Sequence, residues 1–419
     1  MNAKQKIAAQ SLTGRHPELG TGPVSTDIYC DPQFYERELT GIFRRTWLCV
    51  GRVEQAPKVG DFFQKDLPTF GFAVIIARAK DQKLRAFFNV CHHRGNHVEL
   101  RQSGHCVAFT CPFHGWTYGL DGKLVGVPDA SGFFALDKSQ LGLRQLALDV
   151  WEGFIFVNID PAPSQTLAAA MGEQGRDLAG YAFDGGTAVF EYEGTIECNW
   201  KCMIDSFCET YHVPILHKHS VKETLAGPDN PYGRLIDCRL KGPHRTMSVW
   251  GNMAYTPNPV QGLAWQYSPG PAVTSGVRDE RAVLPKGLNE TRAPNWSLDV
   301  AVFFPNWLIV MGSGMYFTHQ MWPLSANKVV WQMRGFLRPA SNAAQRFGQE
   351  NAMVELRDAV LEDCNTLERI QVSLDQGLIT EMLYHDHEIG LRHQYHVVKQ
   401  WVEDFERSFN PDHSAQEAP

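Results

Sequence analysis

The sequence lacks the signatures of several protein classes. Its 419 residues contain no run of about eighteen apolar residues, so no membrane-spanning helix is predicted. The net charge is −7 and no block of lysine and arginine stands out, so nucleic acid is not an expected partner. Residues 1–20 lack the apolar core of a secretory signal, and ten cysteines are too few for a disulfide scaffold. A cytoplasmic enzyme is the default prediction.

The pattern along the chain predicts an α+β protein in three parts. From about Trp47 to Ile159, short runs rich in β-branched and aromatic residues alternate with glycine, proline or charged clusters, which is typical of a compact all-β module. A linker-like stretch begins at Asp160. Beyond it, residues 298–337 read as an antiparallel meander, and a long helix is predicted from about Gln345 to Leu374. The predicted parts are an N-terminal helical segment that packs on the later domain (1–44), the all-β domain (45–160) and a catalytic domain (161–419).

Cysteine and histidine concentrate in one short stretch of the all-β module. Cys91 and His93 are two apart, Cys111 and His114 are three apart, and two tight loops can bring both pairs onto one metal centre. Zinc sites usually pair Cys with Cys and His with His, whereas each pair here mixes the two. The leading interpretation is a [2Fe–2S] centre in which two histidines replace two cysteines on one iron. A zinc site and scattered structural residues are the alternatives.

This mixed donor set has a consequence for redox chemistry. In such a centre, Cys91 and Cys111 hold one iron, and His93 and His114 hold the other. Imidazoles are neutral and thiolates are anionic, so the exchange raises the reduction potential, to roughly −150 to +300 mV. The second ring nitrogen of each imidazole can donate a hydrogen bond outward, which lets a cluster histidine contact another redox site.

A second constellation follows in the later domain. At 100° per residue, one side of a predicted helix is apolar and faces a core, and the opposite side carries Asp205, Glu209 and His212. Pro214 ends this helix, and His217 follows His212 at a spacing of five, so the break lets the second imidazole swing toward the first. A polar solvent face is the alternative. The apolar stripe consists of Trp200, Ile204, Phe207 and Tyr211.

The long helix offers a third ligand. Two histidines need one carboxylate to form a facial triad for non-haem Fe(II) with open positions for O2. Asp363 lies at the margin of the apolar stripe, where a carboxylate is costly unless it is paired or bound to metal. Glu362 points roughly the other way and is predicted to be solvated. An ion pair with a nearby arginine is the alternative role for Asp363. The apolar stripe consists of Met353, Leu356, Val360, Cys364, Leu367 and Leu374.

These motifs carry a family resemblance that covers about residues 30–400. "CHHRG" followed by "CPFHGWTY" resembles the Rieske motif, C-x-H-R-G through C-x₂-H-G-W. "NWK" followed by "DSFCETYHVPILH" is similar to the mononuclear iron motif of Rieske ring-hydroxylating oxygenase α subunits. "LEDCNTLERIQVSL" resembles their E-D-x₄-E-x₂-Q segment, in which the Asp, here Asp363, is the iron ligand.

The resemblance implies both an architecture and an electron path. It implies a helix-grip catalytic domain, with an antiparallel sheet wrapped around a long helix, and a head-to-tail trimer, α3 or α3β3. In the family, a carboxylate three residues before the first iron histidine bridges two subunits. Here it predicts a path from His114 of one subunit through Glu209 to His212 of the next. The chain departs from the family at two positions: many members carry Asp in place of Glu209 and Asn in place of Ser206.

The expected function is that of a terminal oxygenase. It would use O2, with electrons from an NAD(P)H reductase, directly or through a ferredoxin. The reductase must be separate, because the chain has no GxGxxG-type nucleotide site or flavin motif. The first-ranked small-molecule substrate is aromatic or polycyclic and apolar, to be mono- or cis-dihydroxylated as in aromatic hydrocarbon catabolism. The alternatives are oxidative demethylation of a quaternary ammonium or methoxy compound, and an electron carrier with a dead second iron site.

Three residues and one loop are expected at the substrate pocket. Phe207 stands beside the iron ligands in the sequence, although its place on the apolar stripe suits a core residue equally well. Trp307 and Met315 lie in the predicted meander. The segment 251–295 carries many glycines and prolines without a clear period, so it is predicted to be a lid or binding loop.

Overall fold

The computed structural model describes residues 11–181, 183, 187–267, 284–312, 316–337 and 339–409, apart from the side chains of 187–189 and 409. The chain forms two compact units: Phe43–Ala170, and Met1–Ile42 joined with Met171–Pro419. The N-terminal segment therefore belongs to the same unit as the later domain. The boundary between the two units falls after Ala170, ten residues beyond Asp160, where the linker was predicted to begin.

Nineteen strands are described. In chain order they are β1 (Val24–Ser25), β2 (Leu48–Arg52), β3 (Asp61–Leu67), β4 (Phe72–Arg78), β5 (Leu84–Phe88), β6 (Ser103–His105), β7 (Ala108–Thr110), β8 (Thr117–Gly119), β9 (Leu124–Gly126), β10 (Gln145–Trp151), β11 (Phe154–Asn158), β12 (Thr187–Ile196), β13 (Asp237–Lys241), β14 (His244–Trp250), β15 (Trp296–Phe303), β16 (Trp307–Met311), β17 (Tyr316–Ser325), β18 (Lys328–Leu337) and β19 (Glu381–Met382).

The described α-helices are mostly short, and two are long. They are α1 (Asp27–Cys30), α2 (Pro32–Glu38), α3 (Leu167–Leu178), α4 (Trp200–Asp205), α5 (Val213–Leu216), α6 (Lys222–Leu225), α7 (Pro259–Trp265), α8 (Ala343–Asp375) and α9 (Ile389–Phe409). Single turns of 3₁₀ helix occur at Thr13–Arg15, Pro17–Leu19, Val53–Gln55, Pro68–Phe70, Ala130–Gly132, Lys138–Gln140 and Asp386–Glu388, and a π turn occurs at Leu39–Phe43. No described helix has the length and apolar character needed to cross a bilayer.

The smaller unit is all-β, as its sequence pattern predicts. Seven antiparallel strands pair in the order β2-β11-β10-β5-β4-β3-β6, and a second sheet has the order β7-β8-β9. Aromatic side chains fill the interior, and Phe62 meets Phe109 edge to face at 5.4 Å between ring centroids. The core of this unit also contains Cys91 and Cys111, so the two loops that carry them are anchored in packed structure.

The larger unit places a sheet against the long helix α8. Its seven antiparallel strands pair in the order β12-β18-β17-β16-β15-β14-β13. Sheet and helix approach closely at Gly335 on β18, where an added Cβ would lie 2.7 Å from the sulfur of Met353. Asn342 caps the start of the helix, accepting a hydrogen bond from the backbone N–H of Gln345 at 2.9 Å, and Gly377 follows its end with a φ of 62°. The α+β fold class is confirmed.

Two predicted elements differ from the structure. The segment 251–295 is not a plain loop, because its residues Pro259–Trp265 form α7, which packs on α8; residues 268–283 lie outside the described residues. The predicted helix from Trp200 ends at Asp205, where backbone hydrogen bonds shift from four-residue to three-residue spacing, with Cys208 N–H donating to Asp205 at 2.8 Å. The chain that follows is then free to turn back toward the helix α8.

Candidate metal centres

The first centre is built on two loops of the same design. In one loop, the N–H of Gly95 donates to the carbonyl of Cys91 at 2.9 Å; in the other, the N–H of Gly115 donates to Cys111 at 3.0 Å. Both glycines adopt positive φ angles, 79° and 73°, a conformation that other residues rarely adopt. Each turn closes a short loop that contains one cysteine and the nearby histidine. The glycines of the R-G and H-G motifs therefore have a geometric role.

The four predicted ligands of this centre come together in two pairs. Nδ1 of His93 lies 3.1 Å from Nδ1 of His114, and the buried thiols of Cys91 and Cys111 interact with each other. Burial raises the pKa of the Cys111 thiol, but hydrogen bonds from the backbone N–H of Phe113, the Cys91 side chain and other donors outweigh it, and the net pKa is lowered. Two thiols and two imidazole nitrogens that converge in this way fit a [2Fe–2S] cluster with mixed Cys and His ligands.

Neighbouring side chains hold these ligands in place. The ring of Trp116 stacks on His93 with a centroid distance of 4.9 Å and an interplanar angle of 8°. The hydroxyl of Tyr118 lies 3.2 Å from Sγ of Cys91, and the amide of Asn96 lies 3.9 Å from Sγ of Cys111. Hydrogen bonds to cluster ligands stabilise the more negative, reduced state, so these contacts help to set the potential.

The second centre joins a short turn to the middle of the long helix. His212 precedes α5 and His217 follows it, with Pro214 in the first turn of that helix rather than at the end of a longer one. Nε2 of His212 lies 3.0 Å from Nε2 of His217. Oδ1 of Asp363 lies 3.5 Å from the first of these nitrogens and 3.4 Å from the second.

The chemistry of these donors fits a mononuclear iron. The ligand atoms of His212, His217 and Asp363 all lie within 4.8 Å of one another. Two imidazole nitrogens and one carboxylate oxygen form the 2-His-1-carboxylate set typical of non-haem Fe(II) sites with open positions. The ion pair with an arginine, considered above for Asp363, is not among its described contacts, which are to the two histidines.

The helical-wheel prediction for this segment is partly wrong. Because α4 ends at Asp205, Tyr211 does not continue the apolar stripe, and it is 48% exposed. Asp205 is not on a solvent face either: it is buried and accepts hydrogen bonds from Tyr29 at 2.8 Å and Gln394 at 2.9 Å. Glu209 and His212 do come together, but through the turn rather than through a shared helix face.

Each imidazole is supported by a carboxylate on its other nitrogen. Nδ1 of His212 donates to Glu209 in a short contact, and the backbone N–H of Tyr211 donates to the same carboxylate. Nδ1 of His217 donates to Glu362 at 2.7 Å. The prediction that Glu362 is solvated is only partly right: its side chain is 25% exposed, but the turn that carries His217 and Ser220 donates two hydrogen bonds to it.

These carboxylates also set the charge of the site. Burial lowers the pKa of His212, but the charge and hydrogen bond of Glu209, together with Asp363, outweigh it and raise the pKa to about 9. For His217, the effect of burial is likewise outweighed, by Asp363 and Glu362, and its pKa is raised. The site therefore has a strong affinity for positive charge, whether protons or a metal cation.

A cavity of about 130 Å³ opens directly beside the three ligands. Phe207 is part of its wall, as predicted from its position beside the ligands. Trp307 is not: it is buried in β16, where its ring packs on Phe303 at 5.2 Å. Met315 lies outside the described residues. Most of the wall is apolar, with aliphatic side chains from the sheet and from α8: Val249, Leu298, Val300, Val310, Leu356 and Val360.

The cavity also contains polar residues that sequence reasoning missed. Gln261 and Trp265 come from α7, in the segment that carried no clear period. Glu355 comes from α8, eight residues before Asp363. The sequence does hold a signal for the last of these, because at 100° per residue Glu355 lies within 80° of Asp363 on the helical wheel.

Comparison with known protein families places the chain. The family model "Ring hydroxylating alpha subunit (catalytic domain)" matches residues 182–404, more than half of the chain. The chain belongs to this family. A second model, the Rieske [2Fe-2S] domain, matches residues 46–144. Together these matches confirm the resemblance seen in the motifs: the chain is a member of the Rieske non-haem iron oxygenases, with the two iron cofactors that the donor sets fit.

Curated relatives of this family member include oxygenases of two kinds. Choline monooxygenase from Beta vulgaris is 34% identical over 212 residues, which cover 49% of this chain and 47% of the relative. The α subunit of biphenyl 2,3-dioxygenase from Rhodococcus jostii is 35% identical over 220 residues, covering 48% and 47%. The matched regions thus span about half the length of each curated relative.

Solved structures show the same fold over almost the whole chain. A quaternary ammonium Rieske monooxygenase, CntA, superimposes with a TM-score of 0.72 at 19% identity, covering 92% of this chain and 96% of that one. Naphthalene 1,2-dioxygenase from Rhodococcus sp. gives a TM-score of 0.71 at 19% identity, covering 96% and 98%. At this level of identity, these likenesses show the fold alone.

Proposed function

We propose that the chain is the terminal oxygenase component of a multicomponent Rieske oxygenase, which hydroxylates an apolar substrate with O2. One observation supports this most directly. His212, His217 and Asp363 converge beside an apolar cavity, in a chain that also carries a complete Rieske donor set. A dead second iron site would not need a complete triad, so the electron-carrier alternative has less support.

The cavity and the metal-binding triad have different roles in this proposal. Fe(II), when bound by the triad, supplies the open coordination positions at which O2 can be activated. The aliphatic wall binds the substrate and excludes water from the reacting centre. Phe207, in the cavity wall and five residues before His212, is placed to set the distance of the substrate from the metal.

Glu209 and Glu362 position the iron ligands. Each accepts a hydrogen bond from Nδ1 of its histidine, which fixes the tautomer with Nε2 free for the metal. We further propose that Glu209 carries the electronic coupling from His114 of a neighbouring copy in a trimer, α3 or α3β3. Glu in place of the more common Asp is one methylene longer, so the same bridge would span a slightly larger gap.

The electrons come from outside the chain in this proposal. A separate NAD(P)H reductase, directly or through a ferredoxin, would supply electrons to the centre held by Cys91, His93, Cys111 and His114, and from there to the iron held by the triad. The outer ring edges of the half-buried His93 and His114 suit this role, because the two Nδ1 atoms face each other and Nε2 is on the opposite edge of each ring. Contact through Nε2 would then connect the cluster to the next redox centre.

The substrate class follows from the lining of the cavity. An aromatic or polycyclic apolar compound matches the aliphatic and aromatic wall, and it is oxidised by mono- or cis-dihydroxylation in this proposal. Oxidative demethylation of a quaternary ammonium compound is the second candidate. It is favoured by the similarity to choline monooxygenase and by a carboxyl group in the wall, Glu355, that is separate from Asp363 and Glu209 at the metal site.

The metal content tests this proposal first. We expect anaerobically purified protein to contain about three irons and two acid-labile sulfides per chain, with a Rieske-type EPR signal after reduction. Asp363→Ala should retain two irons, the sulfides and the signal. Two irons and two sulfides in the native protein, unchanged after Fe(II) is added back, would refute the oxygenase function and leave an electron carrier.

Turnover is the second step of the test. The iron-loaded protein, supplied with a surrogate reductase, ferredoxin and NADH, should consume O2 and hydroxylate biphenyl or naphthalene, while Asp363→Ala should not. Preferential release of formaldehyde from a trimethylammonium compound would instead support the demethylase.

A further inference from the structure

The substrate cavity runs lengthwise along one face of α8. Asp363 lies at one end of this face and Glu355 at the other, with Leu356, Ala359 and Val360 between them, and all five line the cavity. Eight residues of helix correspond to about 12 Å along the axis. A substrate that occupies the cavity therefore has one end at the iron ligands and the other at a carboxyl group.

The carboxyl group of Glu355 is held firmly by amide donors. Its Oε1 accepts hydrogen bonds from Gln261 at 2.9 Å and from Asn351 at 3.0 Å. Gln261 is fixed in turn, because its own Oε1 accepts from the hydroxyl of Tyr255 at 2.5 Å. Both described hydrogen bonds go to Oε1, so Oε2 is the oxygen left for a ligand.

Glu355 is not part of an ion pair in the part of the chain that the structure describes. Burial raises the pKa of its carboxyl group, and the two amide hydrogen bonds only partly oppose this. Because Oε1 already accepts two amide protons, a proton bound to the carboxyl group belongs on Oε2. The group then has a donor directed away from its amide partners.

A second polar group in the cavity wall has no partner among the described residues. Trp265 lies one helical turn after Gln261, lines the cavity and is 5% exposed, and none of the residues that the structure describes accepts a hydrogen bond from its indole Nε1. A buried N–H without an acceptor is destabilising, so such groups usually have a partner in the functional state. An oxygen atom of a bound substrate would supply that acceptor.

We propose that Glu355 and Trp265 form a specificity site for a neutral oxygen substituent, a hydroxyl or keto group, at the end of the substrate remote from the iron. A hydroxyl or carbonyl oxygen has two lone pairs, enough to accept from both Trp265 Nε1–H and protonated Oε2. A hydroxyl can also donate to Oε2 when the carboxyl group is ionised. A quaternary ammonium has no acceptor and leaves Trp265 unpaired. The substrate class is thus an oxygenated apolar skeleton rather than a plain hydrocarbon or a cation.

Binding of three matched probes tests the proposal. These are biphenyl, 4-phenylphenol and (biphenyl-4-yl)trimethylammonium, titrated calorimetrically into the iron-loaded protein under anaerobic conditions. We expect 4-phenylphenol to bind about tenfold more tightly than biphenyl, and the cation to bind no better than biphenyl. Equal affinities for the phenol and biphenyl, or preference for the cation, would overturn the proposal.

Variants then assign the preference to these residues. Glu355→Leu and Trp265→Phe should each remove most of the preference for the phenol. Glu355→Gln should keep it within about threefold, because an amide can still donate to and accept from a hydroxyl. Glu350→Gln, on an exposed part of the same helix, is the matched control and should bind like the native protein. A phenol preference that survives both Glu355→Leu and Trp265→Phe would refute the assignment.

The inference rests on the proposed function only for the position of the iron at the Asp363 end. Its test measures affinity without O2 or a reductase, so it can succeed or fail independently of turnover. Binding of the phenol through Glu355 in a protein that never hydroxylates would leave the specificity site intact and refute the oxygenase proposal alone.

Discussion

The two metal centres use histidine in opposite orientations. In the centre formed by the two loops, the Nδ1 atoms of His93 and His114 converge at 3.1 Å. In the triad, the Nε2 atoms of His212 and His217 converge at 3.0 Å. The ring nitrogen that faces away from the metal is therefore Nε2 in the first centre and Nδ1 in the second.

This difference shows how each centre is suited to its task. Nε2 is the nitrogen farther from the backbone, so in the loop centre it lies at the outer edge of the ring, where it can meet a redox partner. In the triad, Nδ1 is held by a carboxylate, Glu209 or Glu362, which fixes the imidazole and adds negative charge. The first arrangement suits the proposed transfer of electrons at the outer ring edge, and the second suits a dication held in a fixed geometry.

The largest expected effect comes from removing the carboxylate ligand of the triad. Asp363→Ala should abolish turnover and lower iron from about three to about two per chain, because two imidazoles alone do not complete the site. Iron and sulfide analysis with EPR would check this. Loss of the Rieske signal in the same variant would contradict this expectation, because it would show that the two centres depend on each other.

Glu209→Gln should have the next largest effect. It keeps a hydrogen-bond acceptor for His212 but removes the charge, so we expect both iron sites to remain filled while turnover falls at least about a hundredfold. Steady-state O2 uptake and iron content together provide the readout. Glu223→Gln, exposed in α6, is the control. Turnover near the native level would remove the bridging role from Glu209.

Glu362→Gln should affect iron affinity more than electron delivery. It weakens the support of His217, and such changes typically cost about 10- to 100-fold in metal affinity or activity. Fe(II) titration followed by turnover with saturating Fe(II) would separate the two effects. Restored turnover at high Fe(II) is expected here but not for Glu209→Gln. Glu368→Gln on the same helix serves as the control.

Acidification should release the mononuclear iron before the cluster. The pKa of His212 without metal is raised to about 9, so below this pH a metal must displace a proton, and Fe(II) affinity should fall about tenfold per pH unit. For His114, burial and the neighbouring His93 and Arg94 lower the pKa, so protons do not compete there in the same range. Fe(II) titrations between pH 6 and 9, with the cluster absorbance as reference, would test this; a pH-independent affinity would contradict it.

The smallest expected effect concerns a single hydrogen bond at the loop centre. Tyr118→Phe removes the hydroxyl 3.2 Å from Sγ of Cys91, and we expect the reduction potential to become about 20–60 mV more negative. Protein-film voltammetry would measure the shift. An equal potential in the variant would mean that the cluster is tuned by other contacts.

The loop centre was predictable from sequence because everything that forms it is local. Two cysteines, two histidines and the glycines that turn the chain occur within twenty-five residues, and each loop closes with its own hydrogen bonds. The triad was harder, since Asp363 comes from a distant helix. Its position at the margin of an apolar stripe nevertheless predicted it, because helix periodicity is regular.

The wrong predictions arose where helix or strand periodicity was applied beyond what it can show. Glu362 was assigned to solvent from the helical wheel alone, which cannot show that the turn carrying His217 and Ser220 contacts that face of α8. Tyr211 was assigned to a helix that ends six residues earlier. Trp307 was expected at the pocket from its place in the meander, but a strand buried on both faces gives no sequence signal for which side meets the cavity.

The helix α8 carries both Asp363 and Glu355, so the spacing of the two carboxylates is fixed by the helix. Because a helix is stiff, the length of substrate that fits between them can change only in steps of about one helical turn. Moving the glutamate from position 355 by one turn, to position 359 or 352, would shorten or lengthen the distance between the two carboxylates by roughly 5 Å and leave the iron ligands unchanged. The preferred substrate length can therefore be altered by exchanging two residues of α8, with no change to the loops, the sheet or the metal ligands.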